Sequence, residues 1–486
     1  MAVAKRDSIF VNILHYASSS LFQKFLGVFT AFIRPKLLSP ELFGLWNVFN
    51  ILPNYASYLH LGSRSSMRFL IPYYETRGEK EHISSAKAAV YHGTFYPTLL
   101  FALFLLLLAL FLNLEMETRI GFVAIAVVVL FNWRFDYLIG VLKSHQEFRL
   151  ISRCNYITAI AHFVLTAALI FWFGFYGALL SVILTVVVGI IYLQRFHAIQ
   201  INGPFQYDVF RRLVKIGFPI VAFNLISELI RTSDRFVLFF LLGQETVGYY
   251  GIAIMVLGLS ISIPAISREV VEPKLMENLD RADLAQNLEL FMTRPLMNTA
   301  YLMPFVVGTG VLLVPVIIPV ILQGYEPGII AAQILLLGGY FLATSHVLRG
   351  VIVAFGFQLK ASFLALAILV VNIILSIMMV HWGYGVEGVA LASSFSFFLL
   401  FGSLLTLVWW QLRRRKHGQT ARFFWLFVPF PVMCALLFFP DRLLIELGES
   451  PILLLSVKML LFLILQGMLL HFVRTRGLVS FRIEPR

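Results

Sequence analysis

Cysteine is almost absent. The chain of 486 residues holds two, Cys154 and Cys434. Both lie at or inside apolar stretches, so neither a disulfide framework nor a cysteine-based metal site is expected. Charge is scarce too: 13% of residues are Asp, Glu, Lys or Arg, against roughly 25% in ordinary soluble domains. Acidic residues are the rarer sign, 25 against 38 Lys and Arg. No Gly-rich phosphate loop closing on Lys-Ser/Thr occurs, so no ATPase of the chain's own is expected. His60, His162, His346 and His381 are scattered. None stands at ligand spacing from another His, a Cys or a carboxylate, so no metal or other cofactor is expected. No nucleophile–base pair stands out, and the chain does not read as an enzyme.

What fills the chain is apolar side chain, 59% of residues, with a mean hydropathy of +0.86. A water-soluble fold of this composition would have too little polar material for its surface, so lipid is the natural solvent. The net charge of +13 does not indicate nucleic acid. The basic residues sit in short connectors between apolar stretches, not on a basic face with interleaved aromatics, and read as orientation charge. Lys5 and Arg6 precede an apolar stretch too long for the core of a cleavable signal.

A spanning helix needs about 20 mostly apolar residues. About fourteen stretches qualify, near 10–33, 43–61, 89–112, 120–142, 154–173, 176–195, 216–242, 246–267, 296–321, 329–353, 362–382, 386–410, 423–440 and 451–473. With the N-terminus in the cytoplasm, alternate connectors collect the basic residues: Arg64, Arg68, Arg77, Lys80 and Lys87 after the second stretch, Lys143, Arg149 and Arg153 after the fourth, and Arg413, Arg414, Arg415 and Lys416 after the twelfth. The outer connectors hold only Arg34, Lys36, Arg119 and Arg442. This bias predicts both termini in the cytoplasm. Every outer connector is short, which leaves no room for the large loop on which membrane glycosyltransferases and polymerases carry their acidic residues.

The chain also repeats itself. Leu37-Leu38-Ser39-Pro40-Glu41-Leu42-Phe43-Gly44 aligns with Leu241-Leu242-Gly243-Gln244-Glu245-Thr246-Val247-Gly248, with Trp46 opposite Tyr250. Gly174-Phe175-Tyr176-Gly177-Ala178 pairs with Gly385-Val386-Glu387-Gly388-Val389 at a similar offset. The expected fold is an all-α polytopic membrane protein. It has a six-helix lobe over 1–200, a second over 201–412, related by a pseudo-two-fold along the membrane normal, and two further helices with a cytoplasmic tail over 413–486. Transporters of this design bind substrate between their halves.

At these residues a family likeness emerges. Ser39-Pro40-Glu41-Leu42-Phe43-Gly44-Leu45-Trp46, Leu61-Gly62 and Arg68-Phe69-Leu70 resemble the opening signature of the polysaccharide (O-antigen type) flippases, a branch of the multidrug/oligosaccharidyl-lipid/polysaccharide exporter (MOP) superfamily. Gly217-Phe218-Pro219, Asp234-Arg235, Gly248-Tyr249-Tyr250, Asn372 and Gly385/Gly388 agree with it. His60 departs from the pattern, standing where many relatives carry an acid. The resemblance implies two six-helix lobes around a central cavity, and transfer of a polyprenyl-pyrophosphate-linked oligosaccharide to the outer leaflet. It also makes a polysaccharide polymerase and glycosyltransferases candidate partners. The alternatives are a multidrug or cation-coupled exporter of the same superfamily, and a non-transporting glycosyltransferase, polymerase or scaffold.

Charges inside the apolar stretches mark where chemistry could sit, because each costs at least about 2.5–3.5 kcal/mol at mid-membrane and so seeks a cavity or a partner. Glu228, Arg231 and Arg235 share one helical stripe in the seventh stretch, and Asp234 beside them can pair with Arg231. Lys24 falls mid-span in the first stretch, opposite Glu228 in the repeat alignment. The expected substrate-binding set is Lys24, Arg231, Arg235, Arg134, Arg64 and Arg68. The expected coupling or gating set is Glu228, Asp234 and Asp136. Arg134 and Asp136, two apart, point in different directions. The competing readings are a structural ion-pair network for the seventh-stretch charges, a permanent salt bridge for Lys24 with Glu228, snorkelling to the interface for Arg134 and orientation charge for Arg64 and Arg68. Energy is left to an H+ or Na+ gradient, the membrane potential or consumption of product.

Overall fold

The structure, a computed structural model, describes residues 2–196, 204–278, 292–414, 425–438, 451–477 and 479. Among the described residues there is no strand. A helix satisfies its own backbone donors and acceptors, the condition lipid imposes.

α1 runs over Ala2–Leu37. α2, Pro40–Phe49, begins as its sequence dictates: the Ser39 hydroxyl accepts from the Leu42 N–H, Pro40 opens the first turn and Glu41 meets the positive helix end. Then come α3 (Ile51–Ser57), a 3-10 turn (Tyr58–His60), α4 (Ser63–Arg77), α5 (Lys80–Phe111), α6 (Met116–Ser144), α7 (Phe148–Phe196), α8 (Tyr207–Leu242) and α9 (Gln244–Asn278). α10 (Arg294–Ile321), α11 (Ile329–Ala354), α12 (Gln358–His381), α13 (Gly385–Arg414), α14 (Pro429–Phe438) and α15 (Pro451–Thr475) complete the order.

Among the described residues, ten helices are long and apolar enough to cross a membrane, and the chain is a multi-pass membrane protein. One of the ten, α7, holds two expected stretches. Gly174 leaves the helical region at φ 54°, ψ −129°. Across that break Thr166 meets Ser181 at 3.3 Å and His162 meets Thr185 at 3.4 Å. Contacts so ordered about one glycine define an antiparallel hairpin. α12 and α13 form another around Gly383 and Gly385, with the Asn372 amide donating to Ser396 at 3.0 Å.

The second expected stretch is a correction. It is not one helix ending near residue 61. Two helices and a 3-10 turn lead to Leu61 and Gly62, both left-handed at φ 48° and 92°, and the path resumes as α4. α4 runs parallel to the end of α6, with Met67 and Ile71 packed beside Tyr137 and Val141 and Glu75 bonded to His145. Residues expected to be a cytoplasmic connector are therefore a packed helix. In the thirteenth stretch the helix, α14, begins only at Pro429, because residues 425–428 form a turn. Arg415, Lys416, Arg442 and the start and end of that stretch lie outside the described residues.

The chain divides into two compact units, Met1–Phe239 with Gly243–Gly248, and Phe240–Leu242 with Tyr249–Arg486. In the first, α8 packs closely on α4. A Cβ on Gly62 would stand 2.2 Å from the Gly217 carbonyl carbon, and the Ser66 hydroxyl donates to the Leu213 carbonyl at 2.6 Å. Leu213 joins a buried cluster with Met67, Ile71, Val90 and Tyr137. A second cluster joins α6 to both arms of α7 through Leu138, Leu142, Ile151, Cys154 and Leu193.

The second unit is built around α11, the most buried of the ten spans. Gln333 donates to the Val311 carbonyl of α10 at 2.9 Å, and Ser394 of α13 to the Ile334 carbonyl of α11 at 3.0 Å. α15 docks on α10 where Gly308 admits the Phe462 ring.

Candidate functional site

Two polar places within the first unit share one wall, α3. The first is the charged face of α8. Glu228 pairs with Arg231 at 3.5 Å, and their side chains keep 15% and 29% exposure. The expected Arg231–Asp234 pair is not formed. The short Asp234 carboxylate accepts from the backbone N–H of Arg235 at 2.8 Å, and the longer Glu228 reaches Arg231 instead. Asp234 and Arg235 are buried. Thr232 donates to the Glu228 carbonyl at 2.7 Å and meets the Tyr55 hydroxyl of α3 at 2.5 Å. Tyr55 also stacks on Phe236 at 6.1 Å.

The second is a cavity of about 340 Å³ enclosed by α3, α4, α5, α6 and α7. Its wall carries Asn54 and Ser57 of α3, His60, Arg64 of α4 and Asn132, Trp133 and Asp136 of α6. Arg64 is bonded to Asp136 at 2.9 Å and reaches the Ser57 carbonyl at 3.4 Å. His60 accepts the Gly62 N–H on Nδ1 at 2.9 Å. A ring nitrogen that accepts has no proton, so this imidazole is neutral and carries its hydrogen on Nε2. The Trp133 indole N–H donates to Thr94 at 2.8 Å, and its ring lies 4.9 Å from both Tyr91 and Phe95.

The expected site residues therefore separate. Glu228, Arg231, Asp234 and Arg235 share one helix. Arg64 and Asp136 meet in the cavity wall. Arg134, beside Asp136 in sequence, lies over the Tyr91 ring at 5.4 Å, and its Nη1 is buried without a hydrogen-bond partner. Arg68 is exposed and Lys24 half-buried on α1, neither in the cavity wall.

Tyr55, Asn54, Asn132 and Trp133 carry no mark of function in the sequence alone; in the second unit, Arg349 is buried in α11, as is His346 one turn before it. A lone arginine in an apolar stretch is the one signal Arg349 gives. The others are ordinary residues until the fold assembles them. Among the described residues, no group of His, Cys, Asp and Glu could hold a metal ion.

An all-helical membrane protein with ionised groups held inside its spans defines the class. Within it, the chain belongs to the polysaccharide biosynthesis protein family, whose sequence profile matches residues 9–276. No curated protein matches the sequence. Among solved structures, lipid II flippase MurJ in an inward closed conformation is similar at a TM-score of 0.70 and 19% identity, over 95% of this chain and 99% of that one. An inward-facing multidrug resistance MATE transporter of the MOP superfamily gives 0.64 and 14%, over 84% and 99%. A MOP superfamily transporter from Pyrococcus furiosus gives 0.55 and 14%, over 84% and 96%. The fold is shared with these MOP-superfamily transporters.

Proposed function

We propose that the chain is a flippase that carries a polyprenyl-pyrophosphate-linked oligosaccharide from the cytoplasmic to the outer leaflet of a bacterial inner membrane, for surface polysaccharide assembly. The observation that carries this reading is the charged face of α8, where Arg231 and Arg235 stand with Glu228 and Asp234 inside a membrane span. Left against lipid, each charge would cost at least about 2.5–3.5 kcal/mol. An arginine that keeps its charge and a planar set of donors suits a pyrophosphate. Membership of a polysaccharide biosynthesis family supports a glycan cargo.

In this reading, residues 1–200 and 201–412 are the lobes that alternate exposure, and 413–486 are an addition. Lys24, Arg231, Arg235, Arg134 and Arg68 serve the anionic head, while Glu228 and Asp234 couple or gate; Arg64 and Asp136, expected in these two sets, are bonded to each other in the cavity wall and stand outside them in this reading. The polyprenyl tail stays in lipid. The chain does no covalent chemistry, and H+, Na+ or the membrane potential supplies energy. Glycosyltransferases and a polymerase act before and after it, and both termini face the cytoplasm.

The test is surface polysaccharide in cells that depend on this chain. Arg231→Ala and Arg235→Ala should each abolish it while the protein remains in the membrane. Wild-type polysaccharide in both variants sinks the reading. The fold shared with a multidrug MATE transporter favours drug export as the second reading, in which the same variants would change drug resistance and leave polysaccharide untouched.

A further inference from the structure

The cavity of the first unit has a wall unlike the face of α8. Its one cation is already matched, since Arg64 is bound to Asp136 at 2.9 Å. His60 is neutral by its hydrogen bond from Gly62. The lining is thus neutral overall, and an entering phosphate would meet the Asp136 carboxylate as well as the guanidinium. Yet the lining is rich in groups that both donate and accept. Asn54 and Asn132 present side-chain amides to the cavity, with no hydrogen bond from either amide to another of the described residues, and each amide offers two donors and an acceptor. Trp133 adds a flat apolar ring locked by its bond to Thr94 and by flanking Tyr91 and Phe95. An aliphatic guest would strand the amides. An anion would be opposed by Asp136. A guest with many hydroxyls and one apolar C–H face satisfies both kinds of surface.

We propose that this cavity is a saccharide subsite that takes about one or two uncharged sugar rings. Its volume of about 340 Å³ lies at the small end of the roughly 300–1,000 Å³ typical of ligand pockets. The proposal rests on the flippase reading for the source of the sugar and deepens it. The face of α8 takes the charge of the head group, and the cavity discriminates among its neutral sugars. Asn132 and Asn54 set which hydroxyls are accepted, Trp133 carries the ring face, and the Arg64–Asp136 pair bonds a vicinal diol from both sides.

The test uses the full chain purified in detergent, titrated with methyl glycosides of glucose, galactose and mannose, with N-acetylglucosamine, and with inorganic pyrophosphate, and followed by tryptophan fluorescence. At least one sugar should give a saturable change, pyrophosphate should not compete with it, and Trp133→Phe should remove the signal. Asn132→Leu keeps the branched shape of the side chain and deletes the amide, and should weaken binding roughly tenfold. Asn54→Leu gives a second, independent weakening, and the melting temperature of each variant establishes that it is folded.

If no sugar responds, if pyrophosphate displaces the sugar, or if binding is unchanged in both folded leucine variants, the subsite is overturned. The two readings fail separately. Sugar binding together with normal polysaccharide in Arg231→Ala and Arg235→Ala leaves the subsite standing and removes the flippase. Lost polysaccharide in those variants with no sugar bound does the reverse.

Discussion

Gly44 and Gly248 hold equivalent places in the two copies of the repeated motif, and each lies on the backbone of the other copy. A Cβ at Gly44 would fall 1.8 Å from the Gln244 carbonyl oxygen, and one at Gly248 would fall 1.9 Å from the Pro40 carbonyl oxygen. Pro40 and Gln244 are equivalent in the same alignment. Exchanging the copies therefore maps the contact onto itself, as a local two-fold relation between the motifs requires. All four residues lie in the first compact unit, and Gln244 adds a 2.5 Å hydrogen bond to Glu41.

Alanine at Gly44 or Gly248 must push two helix starts apart, because the obstructing atoms are backbone. Each substitution should lower stability by about 1–3 kcal/mol, read as an earlier thermal transition in detergent. Gly27→Ala, which meets nothing within 4 Å inside α1, should hold the transition or raise it, because alanine favours a helix interior by about 0.5–1 kcal/mol. Equal behaviour of all three variants would refute the contact.

Arg64 and Asp136 should behave as a unit. With side-chain exposures of 20% and 35% the pair is only partly desolvated, so each single alanine variant should cost about 1–3 kcal/mol, chiefly by leaving its partner unmatched. The double variant should lose less than the sum, with a coupling of about 0.5–3 kcal/mol in a double-mutant cycle. Strict additivity would show that the pair carries no energy.

The turn of the α7 hairpin separates two kinds of glycine requirement. A Cβ at Gly174 meets no atom within 4 Å, but the backbone stands at φ +54°, so Gly174→Ala should cost about 1–3 kcal/mol of pure backbone strain. At Gly177 a Cβ would lie 1.9 Å from the Leu169 carbonyl oxygen, and alanine there must spread the hairpin. Gly177→Ala should be the more damaging of the two in thermal unfolding; the opposite order would contradict the hairpin geometry.

Tyr55→Phe deletes the hydroxyl that meets Thr232 and keeps the ring on Phe236. Thr232 retains its bond to the Glu228 carbonyl, so the loss should be at the ordinary scale of about 0.5–1.5 kcal/mol. Thermal unfolding of Tyr55→Phe beside Thr232→Val, which removes the other partner, checks it. An additive double variant would mean that the two hydroxyls do not interact.

Much of this fold is legible in composition and punctuation. The apolar stretches, the hairpin glycines at Gly174 and Gly385 and the Ser39-Pro40-Glu41 helix start all act locally, and local rules read them. The division of residues 40–60 into two short helices and a 3-10 turn is not legible, and neither is the left-handed backbone at Leu61. Leu61 carries no mark of a left-handed backbone, and the residue after it, Gly62, packs on Gly217, far along the chain. Partner choice fails for the same reason. Spacing puts Asp234 and Glu228 equally within reach of Arg231, and only the direction each carboxylate takes decides. Nothing near Asp136 announces Arg64, because parallel packing of α4 on the end of α6 creates that pair.

From Pro40 to Arg77 the backbone is a string of short rods and not one beam. Each joint forgoes rungs of the helical ladder, and rungs already absent need not be torn when a segment swivels. α3 has only seven residues, with Asn54 and Ser57 toward one hollow and Tyr55 toward the ionised span. A few degrees of roll about its axis would slide both sets of side chains at once, as a key turned from one side moves the bolt on the other.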